Sequence, residues 1–282
     1  MGQINRLNSL KQKLPLWFPK GWLLAFFVAP MTFLAIYSFL QRGLYGGIEW
    51  SFNFQNYLRV VDPLYFTIIG NSLWLAVQTT LYCLAFGIPL ALVIALSSPK
   101  IKNFLLLLIV LPFLSNFLIR TYSLKYLLRE EGLIAQFFQF LGLLPHGESL
   151  STGVIAVSLG MVINYLPLMV LPLYVSFEKF DYSLIEAGKD LGANSLQVFI
   201  KIFLPNVKNS ILSGCIMVFV PCIGEFIIPD ILGGAHTNTL GKLISEQFLK
   251  TRDWPFGAAL AICMLIILFI PSLFLKNKRG DL

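Results

Sequence analysis

The chain has 282 residues, of which 57% are hydrophobic and only 12% charged, and its formal net charge is +7. A soluble domain of ordinary composition is about 25% charged, so these values exclude a single water-soluble core and make a lipid bilayer the solvent. The four cysteines all fall in apolar runs and the two histidines, His146 and His236, stand far apart, so no disulfide framework, metal site or catalytic histidine pair is expected.

The first segment, 1–20, is basic, with Arg6, Lys11, Lys13 and Lys20. It precedes about twenty apolar residues, more than a cleavable signal carries, and so reads as the tail of a retained span. Six runs are long enough to cross about 30 Å of hydrocarbon as helices. They lie at 21–41, 68–96, 103–128, 150–176, 208–230 and 256–275. The expected fold class is all-α, a polytopic membrane protein of six transmembrane helices over 21–275, with tails at 1–20 and 276–282. Pro89, Pro112, Pro167, Pro172 and Pro221 lie inside these runs. Membrane helices tolerate them because neighbours re-satisfy the freed backbone groups.

Between the spans, the aromatic-rich loop 42–67 is expected to lie along the membrane surface, where Trp and Tyr are favoured. Loop 129–149 contains a short amphipathic helix, and its Glu130-Glu131 reads as a solvated turn or a docking point. With both termini inside, the inner segments hold thirteen basic residues, including Lys276, Lys278 and Arg279, and the outer segments eight. That asymmetry predicts cytoplasmic termini. The outer side holds nine acidic residues against its eight basic ones, so the positive charge reports topology and not nucleic-acid binding.

Residues 177–209 are then the longest inner loop. Ser183 and Glu186 have the spacing of a capping box, and Leu184, Ala187, Gly188 and Leu191 form a narrow stripe on the helix that follows. Gly192 suits the left-handed residue that ends a helix. Asn194 or Ser195 can cap a second helix, and Pro205 disfavours helical geometry at Leu204. The stripe can receive a partner, or it can pack on the chain's own helix ends.

Glu186-Ala187-Gly188, Gly192 and Ile202-Phe203-Leu204-Pro205 together resemble the EAA loop of ABC importer permeases. This chain departs once, with Gly188 where the family has its second Ala. The resemblance implies a channel-forming subunit of an importer of the type I (MetI-like) architecture, with Glu186, Ala187, Gly188, Gly192, Ile202, Leu204 and Pro205 coupling it to an ATPase. No G-x-x-x-x-G-K-[ST] is present, so no cofactor is expected on this chain. ATP and Mg would sit on a partner ATPase dimer. A second permease subunit forming a heterodimer, an extracytoplasmic solute-binding protein and membrane lipid complete the expected partners, in the cytoplasmic (inner) membrane.

Residues 112–128, 224–234 and 247–259 further resemble permeases for spermidine and putrescine, which implies a polyamine substrate. A polycation needs carboxylates and aromatic faces on its path. Glu225 is the sharpest candidate: it follows Pro221 and Gly224, roughly 24 Å up the fifth span. A buried carboxylate there faces a cavity or a partner, so it lines the path or pairs with Arg120 or Lys125. Tyr165, beside Asn164 in the fourth span, is a second candidate for the path or else packs between helices. Asp253 and Trp254, where the chain re-enters the membrane, are candidates for an outer vestibule. Asp230 lines the path or terminates the fifth helix, and Trp254 is also an ordinary interfacial anchor. Two alternatives stand beside this reading: an ABC permease for another small solute, and an ATPase-independent secondary transporter. The second would show paired broken helices, and the sequence displays one interrupted span with a carboxylate.

Overall fold

The computed structural model describes residues 2–142, 144–145, 148–234 and 237–277, with side chains described between 19 and 269. His146, His236, Lys278 and Arg279 lie outside the described residues, as do the side chains of Arg6, Lys11, Lys13 and Lys276. In chain order the elements are α1 (Gly2–Ser38), β1 (Gln41–Arg42), β2 (Ile48–Glu49), α2 (Gln55–Val60), α3 (Pro63–Leu96), α4 (Pro99–Leu114) and α5 (Phe117–Leu127). They continue with α6 (Leu133–Phe140), α7 (Val154–Glu178), α8 (Ser183–Asp190), α9 (Ser195–Val198), a π-helical turn (Phe199–Phe203), α10 (Leu204–Gly224), α11 (Ile227–Leu232), α12 (Leu240–Leu249) and α13 (Trp254–Asn277). Two compact units result, one of Met1–Phe66 with Ile244–Leu282, the other of Thr67–Leu243.

In the first unit α13 packs on α1 and α2. Asn56 is buried and gives its two amide hydrogens to the carbonyl of Ser38, the last residue of α1, at 3.0 Å and to that of Leu40, just past the helix, at 2.8 Å. The Ser38 carbonyl is one of the groups that a helix end leaves unpaired. The loop expected along the membrane surface contains an antiparallel hairpin, with Gln41 opposite Glu49, and α2. Its turn needs Gly46 and Gly47, whose φ values are 88° and 85°.

In the second unit α7 is the central helix and packs chiefly on α10. Its Met169 lies between two glycines. A β-carbon at Gly87 of α3 would stand 2.8 Å from Met169 Cγ, and one at Gly214 of α10 would stand 2.8 Å from its Sδ. Small residues at these points let the helices close on the thioether.

The expectation of six spans is only partly met. Among the described residues, four helices are long and apolar enough to cross a bilayer: Pro19–Ser38, Pro63–Leu96, Val154–Glu178 and Ser195–Gly224. The run expected as one helix over 103–128 is a pair, α4 and α5, bent by 100°. Counting that pair as one span makes five. The bend has a local cause: Ser115 and Asn116 are extended, and the Asn116 side chain accepts from the amides of Leu118 and Ile119, which starts α5 afresh. The last run is helical as α13, and its apolar stretch with described side chains, Trp254–Phe269, is short of a full span.

Candidate functional site

The loop over 177–209 is shaped by two caps and a wide turn. The capping box expected between Ser183 and Glu186 is not formed. Tyr182 precedes the helix with φ −67° and ψ −17° and gives no side-chain cap. Asp181 takes the role instead: its Oδ1 accepts the Ser183 amide at 3.0 Å and the Ser183 hydroxyl at 2.7 Å. An Asp two residues upstream reaches the same amide through a shorter ring. Those two bonds hold the Asp181 carboxyl below its ordinary range. Glu186 stays exposed in the first turn of α8.

Gly192 adopts φ +82° as expected, and α8 stops there. Asn194 then makes a full capping box with Gln197, at 2.8 Å and 3.0 Å. The interruption expected before Pro205 is absent. Leu204 is helical, at φ −57° and ψ −45°, and its amide bonds to Phe199, five residues back. A proline clashes with the carbonyl four residues before it, and the π turn realigns those carbonyls. Asn206 Nδ2 donates to the Ile202 carbonyl at 2.7 Å. The second loop helix therefore runs on into the span Ser195–Gly224.

The stripe on α8 divides. Gly188 is buried, and a β-carbon there would stand 2.5 Å from Ile202 Cδ1 and 3.5 Å from Val198 Cγ2. Its missing side chain faces the loop's own second helix. Leu184, Ala187 and Leu191 are exposed, Leu191 at 89%. An apolar pocket of about 320 Å³ lies between Leu92 and Leu96 of α3 and Ile185, Val198, Phe199 and Phe203 of the loop. Burial in this region pushes the Tyr182 phenol up.

The second feature is the break after α10. Gly224 ends the helix, and Glu225 is extended at φ −66° and ψ 126° before α11 begins. Glu225 is buried. Its Oε1 accepts from the amides of Ile227 at 2.8 Å and Ile228 at 3.3 Å, and its Oε2 accepts the Tyr165 hydroxyl. Two amides that α11 would leave unpaired are thus satisfied by a carboxylate. Of the two readings offered for it, the ion pair with Arg120 or Lys125 is not formed. Arg120 Nε donates to Asn164 Oδ1 at 2.6 Å and its Nη1 to the Pro112 carbonyl at 2.7 Å, bridging the α4–α5 bend to α7. Lys125 donates to the Ile231 carbonyl at 2.7 Å, near the end of α11. Gly241, at the start of α12, lies on the break itself. A β-carbon there would stand 2.5 Å from the Gly224 oxygen and 2.8 Å from that of Glu225.

Asp230 is exposed within α11 and does not end a helix, because α11 continues to Leu232. In the first unit Asp253 is buried, paired with Arg59 at 3.0 Å, and accepts the Phe256 amide at 3.2 Å. The Arg59 guanidinium also stacks 3.9 Å from the Phe256 ring. Trp254 opens α13, partly exposed, edge-on to Phe248. The structure brings Glu225 and Tyr165 together, and sets Asp253 with Trp254. Sequence reasoning missed Asp181, Arg120 at the bend and buried Lys242, whose Nζ donates to the Gly234 carbonyl at 3.2 Å. For Arg120 a signal existed: Ser115-Asn116 after Pro112 marks a break, whose open carbonyls call for a donor.

Broken apolar helices around a buried carboxylate, together with a capped polar loop carrying exposed leucines, define a polytopic membrane protein. Residues 87–277 match the family of binding-protein-dependent transport system inner membrane components. The spermidine/putrescine transport system permease protein PotB of Escherichia coli (strain K12) is 41% identical over 268 residues, 93% of this chain and 98% of that one. The protein of the same name from Haemophilus influenzae is 36% identical over 282 residues, 98% of this chain and 99% of that one. A solved bacterial ABC transporter that imports the acidic polysaccharide alginate has a chain similar in fold, with a TM-score of 0.72 at 16% identity, covering 98% of this chain and 99% of that one. The chain belongs to the family of binding-protein-dependent transport system inner membrane components and is a multi-pass inner-membrane protein.

Proposed function

We propose that this chain is a channel-forming permease subunit of an ATP-driven importer for spermidine and putrescine. The observation that carries the reading is the likeness, along nearly the whole chain, to permeases of that name. In this reading the bent pair and α13 each count as one crossing, which makes six spans, with both termini in the cytoplasm. The subunit pairs with a second, homologous permease, and an extracytoplasmic binding protein delivers the polyamine.

An ATPase dimer carrying ATP and Mg docks on the 177–209 loop. Exposed Glu186, Ala187 and Leu191 meet it. Gly188, Gly192, Ile202, Leu204 and Pro205 give the loop its shape. Movement of the loop passes directly into α10, because α9, the π turn and α10 are one continuous rod. Just past the far end of that rod stands Glu225, which with Tyr165 meets the passing ammonium groups. Asp253 and Trp254 belong to the outer vestibule, and Asp230 is a further contact for the solute.

The test is uptake of labelled spermidine and putrescine in cells lacking their own importers, with this chain expressed beside its partner subunits. Uptake that needs the ATPase, and is lost with Glu186→Arg while the complex still assembles, supports the reading. Uptake driven by an ion gradient with no ATPase present overturns it.

A further inference from the structure

We propose that the cavity between the first half of α3 and residues 237–239 is a subsite for an alkylammonium group. The proposal rests on the polyamine reading above. Helix α3 is strongly apolar, yet it carries Asn71, Trp74, Gln78 and Tyr82. Steps of three, four and four residues place these on one helix face. Asn71, Trp74 and Tyr82 are exposed, Trp74 at 68%, whereas Ser72, Ala76, Thr79 and Cys83 turn into the unit. Gln78 Nε2 donates to the Tyr82 oxygen at 3.1 Å, so the polar row is continuous there. Amides on a membrane helix need a polar partner, since hydrocarbon offers none.

The facing wall is held in place. The Leu240 amide donates to Ser72 Oγ at 2.6 Å, and Thr237 Oγ1 donates to the Gly233 carbonyl at 2.9 Å. Thr239 Oγ1 donates to the Glu225 carbonyl at 3.5 Å, so this wall adjoins the break that holds Glu225. Between the walls is a cavity of about 180 Å³, lined by Asn71, Trp74, Gln78, Asn238 and two threonines, with Leu75 and Val154 beside them.

Amide and hydroxyl oxygens can accept from an ammonium, the Trp74 ring offers a cation–π face, and the two aliphatic side chains suit methylenes. Among the described residues no carboxylate lines the cavity, so binding there is weak enough for a cation to leave. The volume is below that of ordinary ligand pockets, about 300 Å³ and upward. It admits the end of a slender chain and excludes a sugar or a peptide. From Asn71 to Tyr82 the helix rises about 16 Å, room for two charges of one polyamine.

The test uses the complete importer, with the four native cysteines replaced and Asn71→Cys introduced. Maleimide labelling of that cysteine is measured with and without putrescine or butylammonium, and spermidine uptake is measured in Trp74→Leu and Trp74→Phe. The expected result is labelling slowed several-fold by either amine. Trp74→Leu should raise KM about five- to tenfold, with Trp74→Phe restoring most of it and the partner permease recovered in normal yield. Labelling that ignores both amines overturns the proposal. So does release of the partner permease by Trp74→Leu, which would make the row a helix contact. If the unmodified importer carries neither polyamine while butylammonium still protects the cysteine, the functional reading fails and the subsite stands.

Discussion

Replacing Glu225 separates the charge of this carboxylate from its hydrogen bonds. Glu225→Ala removes an acceptor used by the Tyr165 hydroxyl, the Ile227 amide at 2.8 Å and the Ile228 amide at 3.3 Å. Each donor left unpaired in a buried site costs about 1–3 kcal/mol. The Ile228 bond is long and counts least, so the sum is about 3–5 kcal/mol. Glu225→Gln keeps one carbonyl oxygen for both amides, and its NH₂ can donate to the Tyr165 oxygen, which limits the cost to about 1 kcal/mol. The assay is the melting temperature of the purified complex, read by gel filtration after heating, beside uptake in cells. Glu225→Ala should melt several degrees lower and Glu225→Gln close to the native chain, with uptake reduced in both. Equal loss of stability in the two would refute the hydrogen-bond account and make the charge itself the structural element. Normal uptake by Glu225→Gln would take the charge out of the transport path.

Three other outcomes follow from the packing. Gly241→Ala should destabilise by about 1–3 kcal/mol, because backbone oxygens stand 2.5 Å and 2.8 Å from the new carbon, whereas Gly188→Ala meets only the flexible end of Ile202 and should cost less; comparative melts of the two variants check this. Asp253→Asn should weaken the Arg59 contact by about 1 kcal/mol, the small figure reflecting a guanidinium 39% exposed to solvent, and a double-mutant cycle with Arg59→Met measures the coupling. Asp181 is held below its ordinary carboxyl range by Ser183, so its support of α8 is complete above the pH where a free Asp ionises and is lost as pH falls through its lowered value. The protection of the α8 amides, their exchange rates taken relative to the intrinsic rates at each pH, should fall across that acid range in the native chain and be low and nearly independent of pH in Asp181→Ala.

Membrane residence, the positions of most spans and the two-helix form of the loop follow from local pattern. A run of apolar residues needs hydrocarbon whatever surrounds it, and Gly192 or Asn194 acts within its own turn. The end of the 103–128 run as two helices was also local in cause, since Asn116 caps α5, but the eye for hydropathy passes over a polar pair between greasy runs. Only tertiary structure decided which acceptor or donor each buried polar group takes. Glu225 could have met Arg120 or Lys125 on sequence alone. It binds Tyr165 and two amides because α7 passes the break, while Arg120 is drawn off to the carbonyl and amide oxygens of Pro112 and Asn164. Gly188 likewise turns inward because the π turn carries Ile202 beneath it. A sequence specifies what each residue can bond, and the packing of distant helices determines which of those bonds is within reach.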